Sequence, residues 1–214
     1  MNLEISTSST SVAALEWYSI GYLPCPIVKG QKKPSTNITK WLSSLSEQKI
    51  EQHWDDRPDD DVALYCSNGL VVLDADSPEA QQAIEDLETK HQLYSNLKVQ
   101  TKNGVHYYYR QVEGMSFKQA GHSTENHPER IDIRCGPSYI IAPPSTNKKL
   151  IVSNETLNPK LDRLKVSHFQ ALAEEGALEP GHEKCRWIRD AFDVEALASQ
   201  MEENAQVELR TAIE

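Results

Sequence analysis

Gly69-Leu70-Val71-Val72-Leu73-Asp74-Ala75-Asp76-Ser77-Pro78 decides how the rest of the chain is read. Leu70 to Leu73 is an apolar run of strand length, bounded by turn residues. Ser77 and Pro78 read as the cap and first residue of a helix. Side chains at i and i+2 of a strand share a face, so Asp74 and Asp76 aim two carboxylates at one spot. Carboxylates that close repel unless a cation lies between them, and hard oxygen ligands suit Mg²⁺ or Mn²⁺. A plainer reading lets Asp76 complement the amino end of the next helix and leaves Asp74 an ordinary loop residue. Asp-x-Asp after a strand serves phosphatases, glycosyltransferases, nucleases and polymerases alike, so other segments must decide.

Outward from this point, the pattern alternates between helix and strand. Upstream, Ser9-Thr10-Ser11 opens a helix that Gly21 ends, Cys25 to Val28 is a short strand, and Gly30 to Asn37 is loop. Ser44-Leu45-Ser46-Glu47 fits a capping box for a helix reaching Trp54, followed by an acidic loop from Asp55 to Asp61. Val62 to Cys66 is a strand, and Asn68-Gly69 between two apolar runs predicts a hairpin to the next one. Downstream, Ser77 to Leu93 is helical, with Ala80, Ala83, Ile84 and Leu87 at helical spacing. Leu97 to Thr101 and Val105 to Val112 pair around Lys102-Asn103-Gly104, and residues 113–128 read as a polar surface loop. Arg130 to Arg134, Tyr139 to Ala142 and Leu150 to Val152 are further strands, the middle one stopped by Pro143-Pro144. The pattern predicts a mixed α+β core with a mixed or antiparallel sheet flanked by helices. From about His168 the chain turns helical, which divides it into a core domain at 1–166 and a small helical tail or linker at 167–214.

Composition narrows the class. The 214 residues carry a formal net charge of -10. Residues 174–214 hold eleven acids and four bases, leaving the rest only mildly acidic. Tight, extensive duplex binding does not suit such a chain. A short contact with a single-stranded template or a primer needs only a few phosphate neutralisers. Lys32 and Lys33 lie in a basic stretch without an acid, and Lys148, Lys149, Lys160, Arg163 and Lys165 form a second. No run approaches the ~20 apolar residues of a membrane span, and the first residues lack the regions of a signal peptide, so a cytoplasmic location is expected. The four cysteines form no Cys-x-x-Cys pair, which argues for free thiols rather than a zinc ribbon.

Two more polar groups fall on strands. In Arg130-Ile131-Asp132-Ile133-Arg134 the charged residues share one face, and a mid-strand carboxylate runs against propensity. Either Asp132 is a third metal ligand with the arginines facing an anion, or this is an edge strand with a surface Arg–Asp pair. In Val105 to Arg110, His106, Tyr108 and Arg110 share one face, while Val105, Tyr107 and Tyr109 take the inward one.

The order Asp-x-Asp, then Thr101-Lys102-Asn103-Gly104-Val105-His106, then Ile131-Asp132-Ile133-Arg134 with Tyr139-Ile140-Ile141-Ala142-Pro143-Pro144-Ser145 resembles the bifunctional primase-polymerase (prim-pol) domains of the archaeo-eukaryotic primase superfamily. Lys33-Pro34 and Trp54 resemble further landmarks of that family, and the likeness runs from about Ile27 to Ser145. Asn103 replaces a usual glycine, and Cys135, Pro137 and Ser138 stand in a region often rich in glycine. The resemblance implies a DNA primase/DNA polymerase, a template-dependent nucleotidyltransferase of plasmid, phage or mobile-element replication. Asp74, Asp76 and Asp132 would be its catalytic residues and would hold two divalent ions, Mg²⁺ or Mn²⁺. It implies that His106, with Arg134 and Lys102 as candidates, contacts the nucleoside triphosphate. Lys32 and Lys33 would meet single-stranded template or primer, and a helicase or other replication domain would be a partner. The competing readings are a haloacid-dehalogenase-type phosphatase, which lacks a good downstream Asp-Asp pair here, a metal-dependent nuclease, and a non-catalytic domain that binds nucleic acid or a replication partner.

Overall fold

Side-chain caps start the helices where short polar residues precede apolar ones. Ser9, Ser46 and Ser77 each accept a hydrogen bond from a first-turn amide, satisfying a donor the helix itself cannot. The computed structural model describes residues 9–95, 97–111, 130–152 and 161–178. In chain order its elements are α1 (Thr10–Ser19), β1 (Pro24–Ile27), α2 (Ile38–Leu42), α3 (Glu47–Asp56), β2 (Asp61–Tyr65), β3 (Leu70–Ala75), α4 (Pro78–His91), β4 (Leu97–Gln100), β5 (Val105–Gln111), β6 (Asp132–Arg134), β7 (Tyr139–Ile141), β8 (Lys149–Val152), β9 (Arg163–Leu164) and α5 (Val166–Glu174). The expected loop at 113–128, the tail beyond 178 and Cys185 lie outside the described residues. Among those residues, no helix is long and apolar enough to cross a membrane, and Cys25, Cys66 and Cys135 are buried free thiols.

The strands form two sheets. One has the order β1-β2-β7 and the other β6-β3-β5-β4-β8, with β9 parallel to the far end of β5. All other pairings are antiparallel. The fold is thus a mixed α+β architecture with antiparallel sheets flanked by helices, as the sequence pattern predicts.

Three apolar clusters set the layers. Val71, Leu73, Tyr107, Tyr109 and Ile133, on one face of the larger sheet, pack against Ile84 and Leu87 of α4 and Phe169 and Leu172 of α5. Its other face, with Val72, Val99 and Tyr108, meets Leu64 and Ile140 of the smaller sheet and Trp17 of α1. The far side of the smaller sheet packs Ile27 and Val62 against Trp41, Ile50 and Trp54. The order is helices, large sheet, small sheet, helices. One end of the space between the sheets is polar, and the site lies there.

Three expectations from the sequence are corrected. Asn68-Gly69 does not make a hairpin: Cys66–Asn68 is a single 3₁₀ turn, Gly69 takes φ 82°, and β2 and β3 belong to different sheets. The turn carries the chain between layers because each flank finds a distant partner: the Cys66 amide donates to Ser138, and the Gln111 amide donates to Gly69. Packing across the layers overrides the local turn preference. The cap of α3 is Ser46, not Ser44. Finally, β5 has no outward face along its first half. His106 and Tyr108 are as buried as Tyr107 and Tyr109, because the second sheet covers the face that alternation alone assigns to solvent.

Candidate active site

β3 is apolar on both faces and therefore central, with a neighbour on each side. Its register puts Asp74 opposite Asp132 of β6 on one side and opposite His106 of β5 on the other. Directly opposed residues of an antiparallel ladder share a face, with Cβ atoms roughly 4.5–5.5 Å apart. Asp132, Asp74 and His106 therefore form one row across three strands, at the polar end of the space between the sheets. Arg134 lies opposite Val72 on the same face, and its Nη2 donates to Asp132 Oδ2 at 3.0 Å. β6 is an edge strand with an Arg–Asp pair, and its register sets Asp132 opposite Asp74.

Asp76 follows β3 and is exposed. A close approach of backbone sets its position. A Cβ on Gly104 would lie 1.8 Å from the carbonyl oxygen of Ala75 and 2.8 Å from Cα of Asp76. The turn from Thr101 to Gly104 is itself closed by Thr101 Oγ1, which accepts from the amides of Asn103 and Gly104 at 3.2 and 2.9 Å. Glycine before Val105-His106 is required for space, and it couples Asp76 to the strand that carries His106.

Burial first, then the neighbouring Asp76 and Asp132, push the Asp74 carboxyl up to about 7, with Arg134 and Lys148 opposing. His106 Nε2 stands 3.4 Å from Asp74 Oδ1, but that oxygen has no hydrogen-bond partner, nor has His106 Nδ1. Burial, then Lys148, Arg134 and Lys32, hold the imidazole well below its usual range, so it is neutral at pH 7. A buried carboxylate oxygen without a donor, between two further carboxylates, suits a cation. Among the described residues, no three His, Cys, Asp or Glu side chains already form a metal shell.

Two cavities open from this row and share Lys32, Asp74, His106, Ile141 and Lys148. The larger, about 310 Å³, adds Arg134 and the less polar wall from Pro137 to Ile140. The smaller, about 250 Å³, adds Asp76, Asp61, Lys102 and the Thr146-Asn147 turn. The structure thus gathers Asp74, Asp76, His106, Lys102, Arg134 and Lys32 along two adjoining cavities, with Asp132 beside Asp74. Lys33 is exposed and lines neither cavity.

Sequence reasoning missed Lys148, noted only as part of a basic stretch. It is half-buried; burial, then Lys32, lowers its ammonium group, while Asp74 and Asp76 hold it up. It also missed Ser145, whose hydroxyl bonds both backbone groups of Val62. The proximity of Lys148 to Asp74 and of Ser145 to Val62 arises from the packing of distant segments, which no local pattern records.

No curated protein matches the chain. A family model described as "Bifunctional DNA primase/polymerase, N-terminal" matches residues 14–160. That span includes the Asp-x-Asp strand, the Gly-x-His strand, the Asp132 strand and Lys148. The chain therefore belongs to the prim-pol family of bifunctional DNA primase/polymerase domains, which are nucleotidyltransferases of DNA replication.

Proposed function

We propose that this domain adds nucleotides to a primer 3′-hydroxyl on a single-stranded DNA template, with Asp74, Asp76 and Asp132 as the ligands of two divalent ions, Mg²⁺ or Mn²⁺. The observation that carries the reading is the register of β3, which sets Asp74 between Asp132 and His106. The unpartnered Asp74 oxygen fits the same account. When bound, such ions lower the pKa of the attacking hydroxyl and steady the departing pyrophosphate.

The chain's own part is positioning and charge neutralisation. Lys32, Arg134 and Lys148 surround the larger cavity and face the phosphates of the incoming nucleotide. The wall from Pro137 to Ile141 takes the less polar sugar and base. His106 hydrogen-bonds the triphosphate through its ring as a binding residue and need not act as a general base. Lys102 borders the smaller cavity as a second phosphate contact. Lys33, on the same loop as Lys32, meets template or primer phosphates. The proposed catalytic domain spans residues 1–166 and an accessory tail runs over 167–214, with α5 seated on the core at their join. Replication of a plasmid, phage or mobile element in the cytoplasm, beside a helicase, is the proposed setting.

The test is a labelled template offered with and without primer, with Mg²⁺ or Mn²⁺ and each class of triphosphate. Growth of the primer supports the reading, shortening identifies a nuclease, and phosphomonoester hydrolysis indifferent to DNA revives a phosphatase. His106→Ala is expected to raise the apparent KM for nucleotide about tenfold or more, on the scale of one charge-assisted hydrogen bond. An unchanged nucleotide dependence removes His106 from the site.

A further inference from the structure

Two of the lysines beside the Asp74–His106 row, Lys32 and Lys148, come from loops rather than strands. Lys32 lies in the loop after β1, and Lys148 lies between β7 and β8. Both loops are fastened to the first two residues of β2. Asp61 Oδ2 accepts from the Gly30 amide at 2.8 Å. The Ser145 hydroxyl accepts from the Val62 amide and donates to the Val62 carbonyl, each at 2.9 Å. Asp61 and Ser145 are both buried, at 7% and 3% exposure, and the Ser145–Val62 bonds are closed to solvent.

From Ser145 a tight turn leads to Lys148, whose amide donates back to the Ser145 carbonyl at 2.9 Å. Asn147 sits in that turn at φ 58°, a left-handed conformation that asparagine tolerates better than most residues. On the other loop, Tyr139 Oη donates to the Lys32 carbonyl at 3.0 Å. Lys32 and Lys148 are near enough to repel. Asp74 and Asp76 offset part of that repulsion, and the two loops that carry the lysines are pinned at one place.

We propose that Ser145 and Asp61 are positioning residues: through their shared anchor on β2 they set the spacing of Lys148 and Lys32, so that the pair grips the triphosphate of the incoming nucleotide. The inference rests on the nucleotidyltransferase reading and adds to it a common support for two phosphate contacts delivered from separate loops. The acidic strand start, which looks like the end of a solvated loop in sequence, becomes the base of both arms.

The probe is inorganic tripolyphosphate, titrated into the full chain by calorimetry, alongside KM and kcat for nucleotide incorporation. Ser145→Ala is expected to weaken tripolyphosphate binding and raise KM by about tenfold, the scale of a buried hydrogen-bonded contact, with kcat within about twofold. Ser145→Thr keeps the hydroxyl and is expected to restore both. The double variant Ser145→Ala/Lys148→Ala is expected to bind no more weakly than Lys148→Ala alone, because a residue acting through another adds nothing once that one is gone. Additive losses, or wild-type affinity in Ser145→Ala, overturn the proposal. If Ser145→Ala lowers thermal stability, Asn147→Val serves instead: it leaves the Ser145 bonds in place, strains the turn, and is expected to weaken tripolyphosphate binding as well, with wild-type affinity again overturning the proposal. A wild-type protein that binds tripolyphosphate but extends no primer contradicts the function and leaves the anchoring measurable. One that binds neither tripolyphosphate nor nucleotide ends both.

Discussion

Asp74→Asn is expected to abolish nucleotide incorporation and, in the same preparation, to raise thermal stability in the absence of divalent ions. Both effects follow from one environment. The Asp74 carboxyl is pushed up to about 7 by burial and by Asp76 and Asp132, against an unfolded value near ~3.9. A carboxyl whose folded pKa is raised binds its proton more tightly in the native state. Its stabilising contribution is therefore complete below about pH 4 and is lost as pH rises through about 7. At pH 8 the ionised side chain costs roughly 2–4 kcal/mol relative to a neutral isostere, several degrees in melting temperature for a chain of this size. Asparagine removes that cost and, with it, the charge that makes the site useful. Thermal unfolding at pH 8 and at pH 5, with and without Mn²⁺, checks the sign. The variant's advantage is expected to shrink at pH 5, and Mn²⁺ is expected to stabilise only the wild type. An Asp74→Asn protein that is less stable at pH 8, or that still incorporates nucleotide, contradicts this picture.

Gly104→Ala is expected to be nearly as damaging, although residue 104 touches no substrate. The added methyl meets the Ala75 carbonyl at 1.8 Å, and both partners are backbone, so no rotamer change relieves it. The turn and the end of β3 must separate, moving Asp76 away from Asp74 and His106. A displacement near 1 Å at a catalytic group costs on the order of 10²-fold in rate, and overpacking of this kind costs about 1–3 kcal/mol in stability. Comparing the melting temperature with the incorporation rate separates the two effects: the rate should fall far more than the folded fraction. Wild-type activity in Gly104→Ala means that the turn does not set the position of Asp76.

The sequence shows which side chains could carry chemistry better than it shows how they are laid out. Asp74 and Asp76 stand out as charges ending an apolar strand and Asp132 as a mid-strand carboxylate, whereas His106 gains its place only from the order of the motifs and the family resemblance. Their convergence depended on β3 being flanked by β5 and β6, and the apolar run at 70–73 implied a central strand without naming its neighbours. Asn68-Gly69 misled, because hairpin chemistry describes the turn alone and the two sheets claim its flanks separately. The burial of His106 and Tyr108 on a face that alternation assigned to solvent has the same origin, a second sheet packed above the first. Lys148 and Ser145 were silent for a different reason. A lysine in a basic stretch and a serine after two prolines are ordinary residues in sequence, and only the bonds from Ser145 to Val62 and the turn to Lys148 give them a place. Asp61 read as loop, yet it is buried at the start of β2.

The central claim is that three carboxylates, two on one strand end and one from a strand nearly sixty residues later, share divalent ions. Titration of Mn²⁺ into the full chain in the presence of a nucleoside triphosphate, with free Mn²⁺ followed by electron paramagnetic resonance, tests it most directly. The account predicts saturable binding by the wild type and its loss, by about tenfold or more in affinity, in Asp132→Asn as well as in Asp74→Asn. Mn²⁺ binding by Asp132→Asn equal to that of the wild type would contradict it.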